Sequence, residues 1–147
     1  MRAQLSNLRW GRVLAAAALV YVVSFLIIFC VIFIYAFALG FQARGAPDPA
    51  QIQQFANQAG PWGGRLGMVI LTLAAAVWLA RQVESAAQIH GLVLGVIVGA
   101  PSLIFSRPLS WAALATLILT IGAGWLGSAI GRRIKQMVTN RRSANEK

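Results

Sequence analysis

Acidic side chains are scarce in this sequence, which has 3 Asp and Glu residues against 13 Lys and Arg residues among 147. Charged residues make up 11% of the chain and hydrophobic residues 59%, whereas a soluble domain carries about 25% charged residues. This composition argues against a water-soluble fold. The formal net charge of +10 does not indicate nucleic-acid binding, because the basic residues flank apolar runs and do not gather on a polar domain.

Cysteine and histidine each occur once, as Cys30 and His90. A single cysteine excludes an intrachain disulfide and a cysteine-based metal site, and a single histidine leaves no second imidazole at ligand spacing. The sequence also lacks a His-Glu-x-x-His motif and a glycine-rich phosphate loop between a strand and a helix. These absences predict a protein that is not an enzyme and that holds no metal and no cofactor.

Ionisable side chains are also missing from the interiors of four apolar runs that are long enough to cross a bilayer. The runs cover approximately residues 13–39, 62–80, 86–105 and 109–130. We predict an all-α integral membrane protein whose single domain, residues 1–147, is an antiparallel bundle of four transmembrane helices. A proton-coupled carrier needs an ionisable group at depth in the membrane, so the pattern disfavours that class of transporter.

The external loop, residues 40–61, contains the pattern of a short amphipathic helix. Asp48-Pro49 is typical of a helix N-cap followed by proline at the first helical position, and Gly60-Pro61 is typical of a helix end. Between them, apolar side chains recur at helical spacing, at Ile52, Phe55, Ala56 and Ala59. We predict a separate helix that lies in the membrane interface or caps the bundle.

The basic residues predict how the chain is oriented in the membrane. With the N-terminus in the cytoplasm, 10 of the 13 lie inside, many of them in the basic tail at residues 131–147, and Arg44, Arg65 and Arg107 lie outside. Positive charge concentrates on the cytoplasmic side of membrane proteins, so we expect both termini there. The same residues are placed to contact anionic lipid headgroups.

Glycine recurs at intervals of four and three residues in the last two spans. The two sets are Gly91, Gly95 and Gly99 in the third span, and Gly124, Gly127 and Gly131 in the fourth. Small residues at such spacing let membrane helices approach closely. We expect the two sets to form a glycine zipper within one chain. Contact with a second copy, or with a larger membrane complex, is the alternative use of the same surfaces.

His90 directly precedes the glycines of the third span, near its cytoplasmic end. We expect an interfacial histidine that hydrogen-bonds to a neighbouring loop, with Glu84 as a candidate partner. One alternative is a pH-sensing group, because histidine titrates near neutral pH. The other is an axial ligand of a haem or chlorophyll.

The last 60 or so residues resemble part of a known group of proteins. His90-Gly91 opens a glycine-rich third span, and the fourth span ends Gly124-x-x-Gly127-x-x-x-Gly131-Arg132-Arg133. This order resembles small four-span bacterial membrane proteins of unassigned function. The resemblance implies the architecture and a bacterial inner (plasma) membrane location, and it brings no site residues.

Together these patterns predict a non-catalytic accessory, assembly or scaffolding subunit that acts through glycine-mediated helix packing. Its expected partners are the lipid bilayer and either a larger membrane complex or further copies of itself. The alternative is an oligomeric small pore, a lysis-type protein or a permease. A pore needs a polar stripe along at least one span, and the hydroxyl side chains in these spans are sparse.

Overall fold

The computed structural model describes residues 10–46, 48–83, 86–105 and 110–145. Within these ranges the chain forms four helices, α1 (Trp10–Gln42), α2 (Pro49–Gln82), α3 (Ala87–Phe105) and α4 (Trp111–Asn145). All four contain stretches that are long and apolar enough to cross a membrane. The prediction of an all-helical protein with four candidate membrane spans is therefore confirmed.

The second helix corrects the prediction for the external loop. α2 begins at Pro49, where a side-chain oxygen of Asp48 accepts a hydrogen bond from the Ala50 N–H at 2.9 Å. It then continues through Pro61 to Gln82, so the amphipathic segment is the first part of α2 and not a separate helix. Proline removes one N–H donor from a helix and crowds the carbonyl four residues earlier, yet helices that cross membranes tolerate it where neighbouring groups satisfy the freed backbone atoms.

The first part of α2, before Pro61, contacts α1. The rings of Tyr35 on α1 and Phe55 on α2 are stacked, with centroids 3.8 Å apart. This contact holds the polar first part of α2 along the end of α1. The signal at Gly60-Pro61 is local, and it carries no information about this stacking partner.

The helices differ greatly in length. α1 has 33 residues, whereas α3 has 19. At 1.5 Å per residue α3 is about 28 Å long, close to the ~30 Å hydrocarbon core of a bilayer, and α1 is about 50 Å long. α4 continues beyond the span predicted to end at residue 130, through most of the basic tail, to Asn145.

The core is built mainly from small and aliphatic side chains. α4 packs along both α2 and α3, and α1 packs against α2 and α3; over the described ranges no Cα atoms of α1 and α4 lie within 8 Å of one another. Val13, Ala76, Leu94 and Val98 are among the side chains with no exposed surface. Many large apolar side chains lie outside instead, which is the arrangement expected of helices surrounded by lipid.

At one end, α1 and α2 extend further than α3 and α4. Gly64 of α2 lies beside Ile28, because a Cβ atom on Gly64 would be 3.3 Å from Ile28 Cδ1. Gly64 also borders a cavity with Pro101, close to the end of α3. Most of residues 29–42 of α1 therefore extend past the described ends of α3 and α4, by roughly 15–20 Å of helix.

Candidate functional site

The first three predicted glycines bring the backbones of α3 and α4 into contact. A Cβ atom on Gly95 would lie 2.5 Å from the carbonyl oxygen of Thr120. Gly91 lies against the backbone of Gly124, and Gly99 lies against the Thr120 hydroxyl. No side chain fits at Gly91 or Gly95 unless the helices separate, because the nearest atom at each position belongs to the backbone. At Gly99 the nearest atoms belong to the Thr120 and Leu117 side chains, and the three glycines together form a continuous close contact along α3.

The remaining two predicted glycines, Gly127 and Gly131, face a different helix from the one expected. A Cβ atom on Gly127 would lie 2.5 Å from the Leu73 carbonyl oxygen, and one on Gly131 would lie 2.6 Å from that of Val77. Both carbonyl groups belong to α2. Side chains three residues apart on an α-helix point in directions that differ by about 60°. Since α4 packs on two helices, Gly124 and Gly127 meet different neighbours.

α2 meets these glycines with alanines that the sequence analysis did not single out. The Cβ atoms of Ala76 and Ala80 lie 2.9 and 2.7 Å from the Cβ positions of Gly127 and Gly131. Ala76 and Ala80 are four residues apart, which is the spacing of small residues at helix contacts. This spacing is visible in the sequence. Because Ala74 and Ala75 directly precede Ala76, the sequence does not show which side of the helix makes the contact.

The buried hydroxyl groups are used mainly within their own helices. Four of them donate to a backbone carbonyl three or four residues earlier, at 2.6–2.9 Å; they belong to Thr72, Thr116, Thr120 and Ser128. A hydroxyl that donates in this way has no proton left for a ligand. Among the described residues, Ser24 Oγ is the buried side-chain oxygen or nitrogen without a hydrogen-bond partner.

His90 lies inside the bundle and has no exposed surface. Its Nδ1 atom is 3.0 Å from the carbonyl oxygen of Ala86, at the start of α3, where Ala86 has a φ of 55°. Glu84, the partner expected from the sequence, lies outside the described residues. Binding of a haem or another planar ligand at His90 would require the surrounding helices to separate.

The exposed surface of α1 carries a regular row of aromatic side chains, which we call the phenylalanine row. It consists of every fourth residue from 25 to 41, namely Phe25, Phe29, Phe33, Phe37 and Phe41, and their exposed fractions are 57–81%. The first three rings stack in succession, with centroids 6.4 and 6.3 Å apart. In α1 no residue after Ser24 is buried. The four-residue spacing is visible in the sequence, but its exposure is not.

A cavity of about 310 Å³ lies near the end of the bundle where α3 stops. All four helices contribute a polar side chain to its border, namely Tyr21, Arg65, Ser102 and Thr116. The Tyr21 hydroxyl donates to the Val98 carbonyl at 2.7 Å, and the Ser102 hydroxyl donates to a carbonyl of its own helix at 2.6 Å. The first bond links α1 to α3, and the second lies within α3.

Comparisons of the chain with protein-family models, with curated proteins and with solved structures gave no match. Its function is therefore inferred from the residues and their contacts.

Proposed function

We propose that this chain is a non-catalytic integral membrane protein that acts as an accessory, assembly or scaffolding subunit. In this proposal the four helices form an antiparallel bundle in a bacterial inner membrane, with both termini in the cytoplasm. The distribution of basic residues, 10 inside and 3 outside, supports that orientation. The resemblance to small four-span bacterial membrane proteins supports the location.

The observation that carries the proposal is the exposed phenylalanine row on α1. The six glycines predicted as contact residues on α3 and α4 are already used for contacts within the chain, so they offer no surface to a partner. α1, by contrast, is the most weakly enclosed helix, because 17% of the residues in its most apolar segment are buried, against 39% in α3 and α4. We therefore propose that another membrane protein contacts α1, and that it does so through an apolar helix.

The length of α1 also supports a partner that binds at the phenylalanine row. If α3 marks the thickness of the hydrocarbon core, lipid tails cover about 30 Å of a helix, whereas α1 is about 50 Å long. Tilting accommodates part of such a mismatch. The remainder includes the last rings of the row, where Phe41 is 81% exposed. A partner helix covers these rings in a region that lipid tails do not reach.

The polar groups support a non-catalytic function through the bonds that they make. Asp48 caps the start of α2, and the buried hydroxyls of Thr72, Thr116, Thr120 and Ser128 donate to backbone carbonyls. The His90 ring bonds to the start of its own helix. Each of these side chains therefore has a structural role that accounts for its position.

The test is extraction of the tagged full-length protein from native membranes in a mild detergent, followed by native mass spectrometry. We expect recovery at fixed stoichiometry with a second membrane protein. The double variant Phe33→Ala/Phe37→Ala should lose that partner. The matched control is Ile70→Ala/Ile118→Ala, because these two side chains are equally exposed, at 64% and 68%, but lie on α2 and α4. Equal loss of the partner in both variants would contradict the proposal.

The native cysteine gives a second readout of the same contact. Cys30 is exposed and lies three residues before Phe33, so the two side chains share one side of α1. A photoreactive maleimide on Cys30 should cross-link the same partner in membranes. Cross-links to lipid alone, together with a monomer in native mass spectrometry, would rule out this assignment.

The alternative is a pore or permease formed by several copies. The cavity bordered by polar side chains of all four helices is the observation in its favour. A discrete homo-oligomer without other proteins, together with ion or solute flux in proteoliposomes, would replace the accessory-subunit proposal with this one.

A further inference from the structure

A second cavity of about 310 Å³ lies at the opposite end of the bundle, where α2 ends and α3 begins. Its wall on the α2 and α3 side is formed by small apolar residues, among them Ala80, Val83 and Ala87. Its wall on the α4 side is formed by Arg132, Lys135 and Gln136. The cavity thus has an apolar wall and a polar wall with two positive charges.

The glycine contact between α4 and α2 places these charges. Gly131 lies against the backbone of Val77 and the methyl group of Ala80, which holds α4 next to the end of α2. Arg132 is the next residue after Gly131, so it lies beside this contact. Side chains at i, i+3 and i+4 share one side of a helix, so Arg132, Lys135 and Gln136 face the same cavity.

The charged side chains that the structure describes at this end of the bundle are all basic. Arg81 lies on α2 just before its end, and the Arg12 guanidinium donates to the Gln82 carbonyl at 3.2 Å. Asp48, the one carboxylate side chain within the described residues, is at the start of α2, at the other end of the bundle. Arg132 and Lys135 therefore line the cavity without a carboxylate from the described part of the chain.

These groups match the chemistry of a phosphate. A guanidinium offers two parallel N–H donors to phosphate oxygens, an ammonium adds a point charge, and an amide adds a neutral donor. Apolar walls lower the local dielectric constant and strengthen such bonds relative to water. A volume of about 310 Å³ is large enough for a small polar ligand.

We propose that this cavity binds a phosphate group through Arg132, Lys135 and Gln136. Two sources have that chemistry, namely the headgroup of an anionic phospholipid and free inorganic phosphate. The cavity lies at the end of the candidate spans, which is the depth of lipid headgroups in a bilayer. The proposal is independent of the phenylalanine row, because it uses a different end of the molecule and different helices.

The test measures binding to the full-length protein in a neutral detergent by native mass spectrometry and by the shift in thermal unfolding. Phosphatidylglycerol and inorganic phosphate are added separately, as the lipid and the free-anion arms. Stabilisation by the lipid alone identifies a headgroup site. Stabilisation by both identifies a site that also accepts the free anion. No binding in either arm overturns the proposal.

Paired variants decide whether the cavity is responsible. Arg132→Gln/Lys135→Gln should weaken phosphate or lipid binding by about ten- to hundredfold, because two charge-assisted bonds are lost. Arg133→Gln/Arg141→Gln removes the same charge from exposed positions on the same helix that do not line the cavity. It should change binding by less than about threefold. Equal weakening by both pairs would show that charge alone attracts the anion and would overturn the site.

A conservative pair separates a lost site from a misfolded protein. Arg132→Lys/Lys135→Arg keeps both charges and should retain binding to within about tenfold. The unfolding midpoint of each variant without ligand verifies the fold. If the charge-keeping pair binds as poorly as Arg132→Gln/Lys135→Gln while its midpoint matches the native protein, the cavity does not bind phosphate through these charges.

Discussion

Replacing Gly95 with alanine tests the α3–α4 contact with the smallest possible side chain. The new Cβ atom would lie 2.5 Å from the Thr120 carbonyl oxygen and 2.7 Å from Ile121 Cα. Non-bonded heavy atoms are most stable at about 3.5–4.0 Å, so the two helices must separate by about 1 Å at this point. Both obstacles are backbone atoms, which cannot rotate away as a side chain does.

The size of the effect follows from this separation. A gap of 0.5–1 Å forfeits about a quarter to a half of each dispersion contact, and overpacking a well-packed core costs about 1–3 kcal/mol. Alanine also favours a helix over glycine by about 1 kcal/mol. Gly122→Ala provides that gain without the clash, because nothing lies within 4 Å of its Cβ position. The two variants should therefore differ by about 1–3 kcal/mol.

The measurement is the free energy of unfolding in detergent micelles, obtained by titration with a denaturing detergent and followed by circular dichroism. Gly122→Ala should be as stable as the native protein or slightly more stable. Gly95→Ala should be less stable than Gly122→Ala, while both variants insert into membranes equally well. Equal stability of the two variants would refute the close contact at Gly95.

The other predictions concern contacts elsewhere in the fold. Gly127→Ala, which meets a carbonyl of α2, should lower the free energy of unfolding by about 1–3 kcal/mol relative to Gly122→Ala; equal values would contradict the α4–α2 contact. Tyr21→Phe removes the hydrogen bond to the Val98 carbonyl and should cost about 1 kcal/mol in the same assay, so an unchanged midpoint would argue against that bond. Asp48→Ala removes the cap of α2 and should destabilise its first turn by about 0.5–2 kcal/mol, seen as faster amide exchange there. Unchanged exchange in that turn would mean that the cap is dispensable.

Local and compositional features of the sequence determined the class of structure. Apolar runs of span length predict four helices whatever their neighbours, because backbone hydrogen bonds within a helix are local and the length needed is set by the bilayer. The start of α2 was equally local, since Asp48 and Pro49 act on the first turn alone. Gly91, Gly95 and Gly99 could be recognised as a contact surface because their spacing repeats on one side of a helix.

The tertiary structure decided what each surface meets. Gly124 and Gly127 are three residues apart in the sequence, yet they face α3 and α2, because α4 packs on both helices. The break predicted at Gly60-Pro61 did not occur, and the first part of α2 lies against Tyr35 of α1, which a local signal cannot include. The phenylalanine row has the same spacing as a buried stripe, and it is exposed because no helix in the described part of the chain covers it. Spacing along a helix fixes which side chains share a face, and the arrangement of the other helices fixes whether that face is buried.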